Sequence, residues 1–358
     1  MITHPSTFAQ IASQPRQKGI LALCLLSLCA LGLSLSASAQ KATFIVVDPP
    51  GSIGTSPTSM SSAGVITGNY VDANNVPHAF LRSREGTFTT FDFPGAQVTN
   101  PASINPAGAV TGWYSDASSL LHGFLRARDG TFAAFDPPGS TQTIATSINP
   151  AGAVTGYYYD ASGMAHGFLR ARDGTLTSFD APGMRLNGTF PACINPAGAI
   201  TGNYLLGNSE VHGFLRARDG TFTTFDPPGS TQTYPASINP SGSITGTYFE
   251  GSFVVHGFLR SREGTFTTFD VEGAFSISPV SINPKGAITG SYYDASRVPH
   301  SFLRSRDATL TTFDPPGAIF SGSAAINPEG AITGSYYDAS GVSHGFLRSP
   351  DDSGKESQ

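Results

Sequence analysis

From Thr43 onward, hydrophobic and polar positions alternate in short runs that Gly, Pro, Asn and Asp interrupt every few residues, and the arrangement recurs along the chain. The third copy shows it most clearly. Thr143–Asn149 (TIATSIN) is small and β-branched and ends at Pro150-Ala151-Gly152. Val154–Tyr159 follows and closes at Asp160-Ala161-Ser162-Gly163. His166–Ala171 is a third run, and Arg172-Asp173-Gly174 joins it to a fourth, Thr175–Asp180. β-type runs this short, bounded by turn formers, predict strands, and the punctuation comes too often for long helices. Four strands per copy predict one antiparallel sheet.

The copies keep strict time. The pentad HGFLR, or a close variant, starts at His78, His122, His166, His212, His256, His300 and His344, with 44 residues between successive histidines except for 46 between His166 and His212. The fourth run ends at Asp48, Asp92, Asp136, Asp180, Asp226, Asp270 and Asp314. An Ile-Asn-Pro turn falls at Asn105, Asn149, Asn195, Asn239, Asn283 and Asn327, with Ser61 in the first copy. A period of this length filled with four short strands predicts an all-β, seven-bladed β-propeller over 43–350.

The connection after each FDPPG-type segment is the longest, as a crossing from the rim of one blade to the centre of the next requires. The SIN strand is therefore read as innermost and the TFTTFD strand as outermost, buried on both faces because Phe88 and Phe91 lie three apart. The seventh copy stops at 344–348 without a fourth strand, and the chain has a spare one at 43–48. That strand is expected to complete the last blade and remove a sheet edge. An open β-solenoid and a propeller with an incomplete blade are the alternatives.

Composition changes this picture at the ends of the chain. Residues 1–39 place Arg16 and Lys18 before an apolar run from Gly19 to Leu35, and Ala37-Ser38-Ala39 follows. This is the pattern of a cleaved secretory signal, and the run is short for a membrane span. Export to the periplasm or outside the cell, without stable membrane insertion, is the expectation. Residues 351–358 form a polar tail. The net charge is -5, and removal of 1–39, which hold two basic and no acidic residues, makes the rest more acidic, which argues against nucleic acid. Cys193 is then the only thiol, so stability must come from packing and not from an intramolecular disulfide.

The HAFLR pentad at His78, the Ile-Asn-x-x-Gly turn and the Val/Ile-x-Gly strand together resemble the extracellular HAF repeat family, over 43–350. The resemblance implies an exported repeat protein and carries over no catalytic residue. Arg82, Arg126 and their equivalents stand where that family often has Trp, and FDPPG where it often has a DLG-type segment, so the chain looks like a divergent branch. Kelch and WD-repeat signatures are absent.

The histidines and aspartates are the most reactive set. If Arg128-Asp129-Gly130 forms a three-residue hairpin loop with a left-handed Gly130, His122 lies opposite Asp136; a two-residue loop would break the alignment. Such a pair suits a general base, the second shell of a metal, or a hydrogen bond that fixes the blade edge. Sevenfold repetition favours the structural role, because an enzyme needs one site and every blade needs an edge. No cofactor or metal is expected: a ring of seven histidines is too wide for zinc, and each Asp-Ala-Ser loop offers calcium one acid. Arg126 and Arg128 are read as lying on one face beside Phe124, solvated or paired with acids. Cys193 stands where Ser103 and Ser147 stand elsewhere, and Trp113 suits either packing or a stacking platform. Asn187-Gly188-Thr189 fits a glycosylation sequon.

Positions that differ between copies are free to recognise something. They cluster in the segment after each FDPPG, such as Thr141–Ala145 and Met184–Phe190, and in the Asp-Ala-Ser loops, which strand counting puts on one end of the ring. Arg185, Asn187, Phe190 and Trp113 are the candidate ligand-binding residues there. The expected function is an exported, monomeric, non-catalytic propeller that binds a protein, glycan or surface polymer through this end. The alternative is a carbohydrate-active enzyme with its site at the axial mouth.

Overall fold

The computed structural model describes residues 42–184, 188–207, 210–251 and 254–350, so the expected signal segment and polar tail lie outside the described residues. These residues form 28 strands and no helix, and none is long and apolar enough as a helix to cross a membrane. Antiparallel pairing groups the strands in fours. Gln142–Ile148, Val154–Tyr159, Ala165–Arg170 and Leu176–Phe179, for example, pair in chain order. Single parallel bridges, Val211 to Gln232 and Val255 to Ser276, tie three of the sets together. The first strand of every set touches the first strands on both sides, Ser52–Met60 meeting Phe320–Ile326, so these strands line the axis and the ring closes.

The closing strand is the spare one. Phe44–Val46 pairs with Ser343–Arg348, Val46 opposite Phe346, and Val47 donates its N–H to the Gly345 carbonyl at 2.8 Å. Val47 is fully buried among Met60, Ile66 and Phe80 of the first repeat. The N-terminal strand thus completes the last sheet and fills the seam to the first.

Each seam has its own core. The Phe of the HGFLR pentad, from Phe80 to Phe346, is fully buried in all seven repeats, which stabilises the fold by up to about 3 kcal/mol at each position. The outer-strand phenylalanines serve two cores: Phe88 packs on Phe80 of its own blade at 5.8 Å between ring centres, and Phe91 joins Ile104, Val110 and Phe124 of the next. Thr89 and Thr90 between them are exposed. The outer strand is therefore not buried along both faces, as the Phe spacing suggested, because it lies at the rim and only its two ends reach a core.

Arg126 corrects the sequence reading more sharply. It is 8% exposed, and its guanidinium lies 4.8 Å above the Phe91 ring of the preceding blade. Equivalent arginines cover Phe179, Phe225, Phe269 and Phe313. They are buried on aromatic rings within the seam, where the ring quadrupole attracts the cation. Burial pulls the pKa values of Arg126 and Arg216 down from the usual arginine value. Arg128 is instead exposed in the hairpin turn, off the strand.

Two hydrogen-bonded belts encircle the axis. The Asn105 amide donates to the Asn149 carbonyl of the next blade at 3.3 Å, and the same link continues through Asn195, Asn239 and Asn283 to Asn327. Ser61, which has no amide, interrupts the series. In the second belt a serine hydroxyl accepts a backbone N–H of the next inner strand, as Ser103 does from Ile148 at 3.4 Å. Cys193 takes the serine position facing Ile238, and the Ser147 hydroxyl lies 3.8 Å from its sulfur.

Candidate functional site

The third strand of each sheet turns back at an Arg-Asp-Gly or related hairpin. In the second repeat the Ala127 N–H bonds the Thr131 carbonyl, which leaves three loop residues, and Gly130 has φ 93°. A left-handed glycine lets this turn match the strand twist. The register then runs Arg126 opposite Phe132 and Gly123 opposite Phe135, which carries His122 to Asp136.

The ring nitrogen Nδ1 of His122 lies 2.8 Å from an Asp136 carboxylate oxygen. The other six repeats have the same contact at 2.7 to 3.0 Å: His78–Asp92, His166–Asp180, His212–Asp226, His256–Asp270, His300–Asp314 and His344–Asp48. A tyrosine of the second strand covers each imidazole, Tyr114 on His122 at 5.2 Å. A second acid stands behind. Nε2 lies 3.3 to 3.7 Å from Asp72, Asp116, Asp160, Glu250, Asp294 or Asp338 in six repeats.

Those loop aspartates do more than the turn formation expected of them. They do make turns, Asp116 accepting the Ser118 and Leu120 backbone N–H groups, but their other oxygen faces the histidine. In the fourth repeat Leu206 occupies the corresponding place, and His212 Nε2 is buried without a hydrogen-bond partner. Among the described residues no three ligating side chains come together to hold a metal ion. Six of the imidazoles are thus held between two acids, one bonded at Nδ1 and one within 3.7 Å of Nε2, with a hydrogen bond at Nε2 in the third and seventh repeats.

Charge follows this geometry. Burial opposes the His122 cation, and the hydrogen bonds and charges of Asp136 and Asp116 outweigh it, raising the pKa above the usual 6.5. For His344 the hydrogen bond to Asp48 is the largest influence and also raises the pKa, with Asp338 adding to it. Hydrogen bonds from Ser162, Met164 and His166, against partial burial, lower the Asp160 pKa to about 2. A raised histidine pKa stabilises the fold fully below about pH 6.5 and loses that contribution as pH rises through the folded-state value. His344→Gln is therefore expected to cost about 1–2 kcal/mol at pH 6 and less at pH 8. Urea unfolding at both pH values checks this; an equal cost at both would remove the ion-pair explanation.

All seven clusters lie at one end of the ring, with the Asp-Ala-Ser loops and the FDPPG connections; the Ile-Asn-Pro turns and Arg-Asp-Gly hairpins occupy the other. The two ends differ chemically. Among the described residues the loop end carries the seven outer-strand aspartates, Asp72, Asp116, Asp160, Asp294 and Asp338, and three glutamates, Glu210, Glu250 and Glu272. Its one basic residue is Arg297. The basic residues of the described chain otherwise gather at the hairpin end, where they outnumber the acids.

Apolar exposure is just as uneven. Of the exposed large hydrophobic side chains, Ile53, Val76, Leu120, Val254, Phe275, Tyr293, Ile319, Phe320 and Tyr337 are all at the loop end; Ile45 and Val46 on the closing strand are the exceptions. Clefts open here between blades: one of about 360 Å³ bounded by Leu120, His122, Asp136 and Thr141, another of about 300 Å³ bounded by Val254, His256, Asp270 and Phe275.

The four candidate ligand residues are placed differently from the loop cluster expected of them. Arg185 and Asn187, the acceptor of the sequon, lie outside the described residues. Phe190 belongs to the inner strand Thr189–Ile194 and packs on Tyr157 of the preceding blade at 5.1 Å. Trp113 is half-buried in the strand Val110–Ser115, at the position that Tyr157 holds one repeat later. The variable segments are likewise partly interior, Thr143 and Ala145 being fully buried, because they already belong to the innermost strands. The aromatic residues that do face solvent were visible in the sequence, but as single substitutions scattered over several repeats.

No protein-family model matches the chain, and a comparison with curated proteins finds no match. Among solved structures, the β-propeller domain of the trilobed protease from Pyrococcus furiosus superposes with a TM-score of 0.60 at 9% identity, over 85% of this chain and 97% of that one. That domain is described as having an open velcro topology, whereas here the strand Phe44–Val46 closes the last sheet. A prolyl endopeptidase structure gives a TM-score of 0.59 at 11% identity, over 83% of this chain and 50% of that one. TolB from Acinetobacter baumannii gives 0.45 at 18%, over 63% of this chain and 54% of that one, so the chain spans about half the length of these two proteins. At these identities the likeness is one of fold, and the chain is an all-β protein with the β-propeller architecture, built from four-stranded sheets.

Proposed function

We propose that this chain is an exported, non-catalytic propeller of the HAF-repeat type that binds a protein, glycan or surface polymer through its loop end. One observation carries the reading: the exposed large apolar side chains gather at that end and are missing from the other among the described residues. Neutral drift of surface loops would scatter them over both ends, whereas apolar exposure gathered at one end suits an interaction site. The repetition of the His–Asp pair supports a structural role for it, since a pair present in every sheet serves every sheet. The apolar run and Ala-x-Ala site before residue 40 support export.

An array of cell-surface glycans and secreted proteins, probed with the purified protein and with a Phe320→Ala/Tyr337→Ala variant, tests this. Both side chains are exposed, so the variant should melt as the parent does and lose the bound ligand. Retained binding, or turnover of an arrayed glycan, would overturn the proposal.

A further inference from the structure

The loop end is organised in zones. Ile53 and Phe320 sit at the starts of innermost strands, and Tyr293 and Tyr337 end second strands. Tyr293 and Phe320 are neighbours across a seam, since Gly322, two residues on, lies against Ser291. Ile53, Phe275, Tyr293, Ile319, Phe320 and Tyr337 therefore lie by the axial mouth over the sixth, seventh and first repeats, and Val76, Leu120 and Val254 lie farther out in the loops. The carboxylates lie outside them, at the ends of the outer strands and in the loops between the second and third strands. An apolar centre with a charged rim is the anatomy of a docking surface, and this rim is almost entirely negative.

We infer that the loop end docks a basic protein segment, one whose arginine or lysine side chains meet the carboxylate rim while an apolar or aromatic anchor enters the axial mouth. This rests on the binding reading above and names the partner's chemistry. Charge complementarity is the first argument: a surface whose described residues hold one arginine, no lysine and so many carboxylates attracts cations and repels acidic partners. The second is internal. Arg297, the one basic side chain described there, places its guanidinium 4.8 Å over the exposed Phe275 ring, the contact that a partner's arginine would make at Phe320 or Tyr337. Even with all seven imidazoles charged, the carboxylates described at this end outnumber the cations, so the rim stays net negative.

The test is a titration of the purified protein with an arginine-rich peptide that carries a tryptophan, and with its glutamate counterpart and a de-acetylated amino-sugar polymer alongside. The variants are Phe320→Ala/Tyr337→Ala, Asp116→Asn/Asp160→Asn/Asp338→Asn, and Arg128→Ala/Arg172→Ala at the opposite end. Asparagine still accepts the backbone N–H groups of those loop turns, so the second variant keeps its fold, and melting curves check all three. The arginine peptide should bind in a salt-sensitive manner, with each loop-end variant weakening it about tenfold and the hairpin-end variant leaving it unchanged. Equal binding by all variants, or preference for the amino-sugar polymer, would overturn the inference. Loss of a neutral glycan through Phe320→Ala/Tyr337→Ala, with no binding of the arginine peptide, would overturn this inference and leave the proposed function standing. Ligand binding indifferent to those two aromatics would sink both.

Discussion

Removal of residues 43–48 is expected to lower stability by about 4–6 kcal/mol. The strand contributes far more than its length suggests. Val47 loses a fully buried position in the first seam, worth about 2 kcal/mol. Phe44, 6.1 Å from both Phe313 and Phe346, leaves the last seam. The hydrogen bond from Ser349 N–H to the Thr43 carbonyl and those of Asp48 to His344 and the Gly345 N–H are lost together. Chemical denaturation of the deletion variant against the parent measures the cost. A loss below about 1 kcal/mol would mean that the ring does not depend on its seam. Adding the 43–48 peptide back should restore part of the stability, since the acceptor edge on Ser343–Arg348 is preformed.

Gly112→Ala is expected to cost about 3 kcal/mol, and Gly123→Ala in the same sheet under about 1 kcal/mol. Gly112 lies beneath the bulge of the inner strand, where the register slips between Pro101 and Ser103, and a Cβ there would meet the Asn100 carbonyl oxygen. Backbone must move to admit it. At Gly123 the obstacle is the Phe135 ring, a side chain. The molecule has already made the second substitution, because Ala79 and Ser301 occupy the equivalent place and are fully buried, whereas the Gly112 position is glycine in every repeat. Comparable losses for the two variants would contradict the bulge explanation.

Much of this fold was legible in the chain because each local signal was written seven times. The sequence left the hairpin loop length open, and the three-residue loop seen in the structure is the one that puts His122 beside Asp136. The closing strand followed from counting a spare TFTTFD-type run. What stayed hidden depends on neighbours across a seam. The arginines read as solvated because the ring beneath Arg126, Phe91, lies in a different repeat, and no spacing within one repeat reveals it. The loop aspartates read as turn formers because their second oxygen serves a strand that returns only after the loop. The chemical contrast between the two ends was present as well, but it emerges only when the loops are sorted by the end they occupy and their charges are compared.

The closing contact also sets an order on folding. Asp48 and His344 are 296 residues apart, so the last sheet cannot form until nearly the whole chain has been made and released. Until then the edge of the third strand in that sheet is open, and another molecule's spare strand fits it equally well. At high concentration during folding, the device that seals the ring becomes a route to strand-exchanged chains, and dilution should favour the sealed monomer.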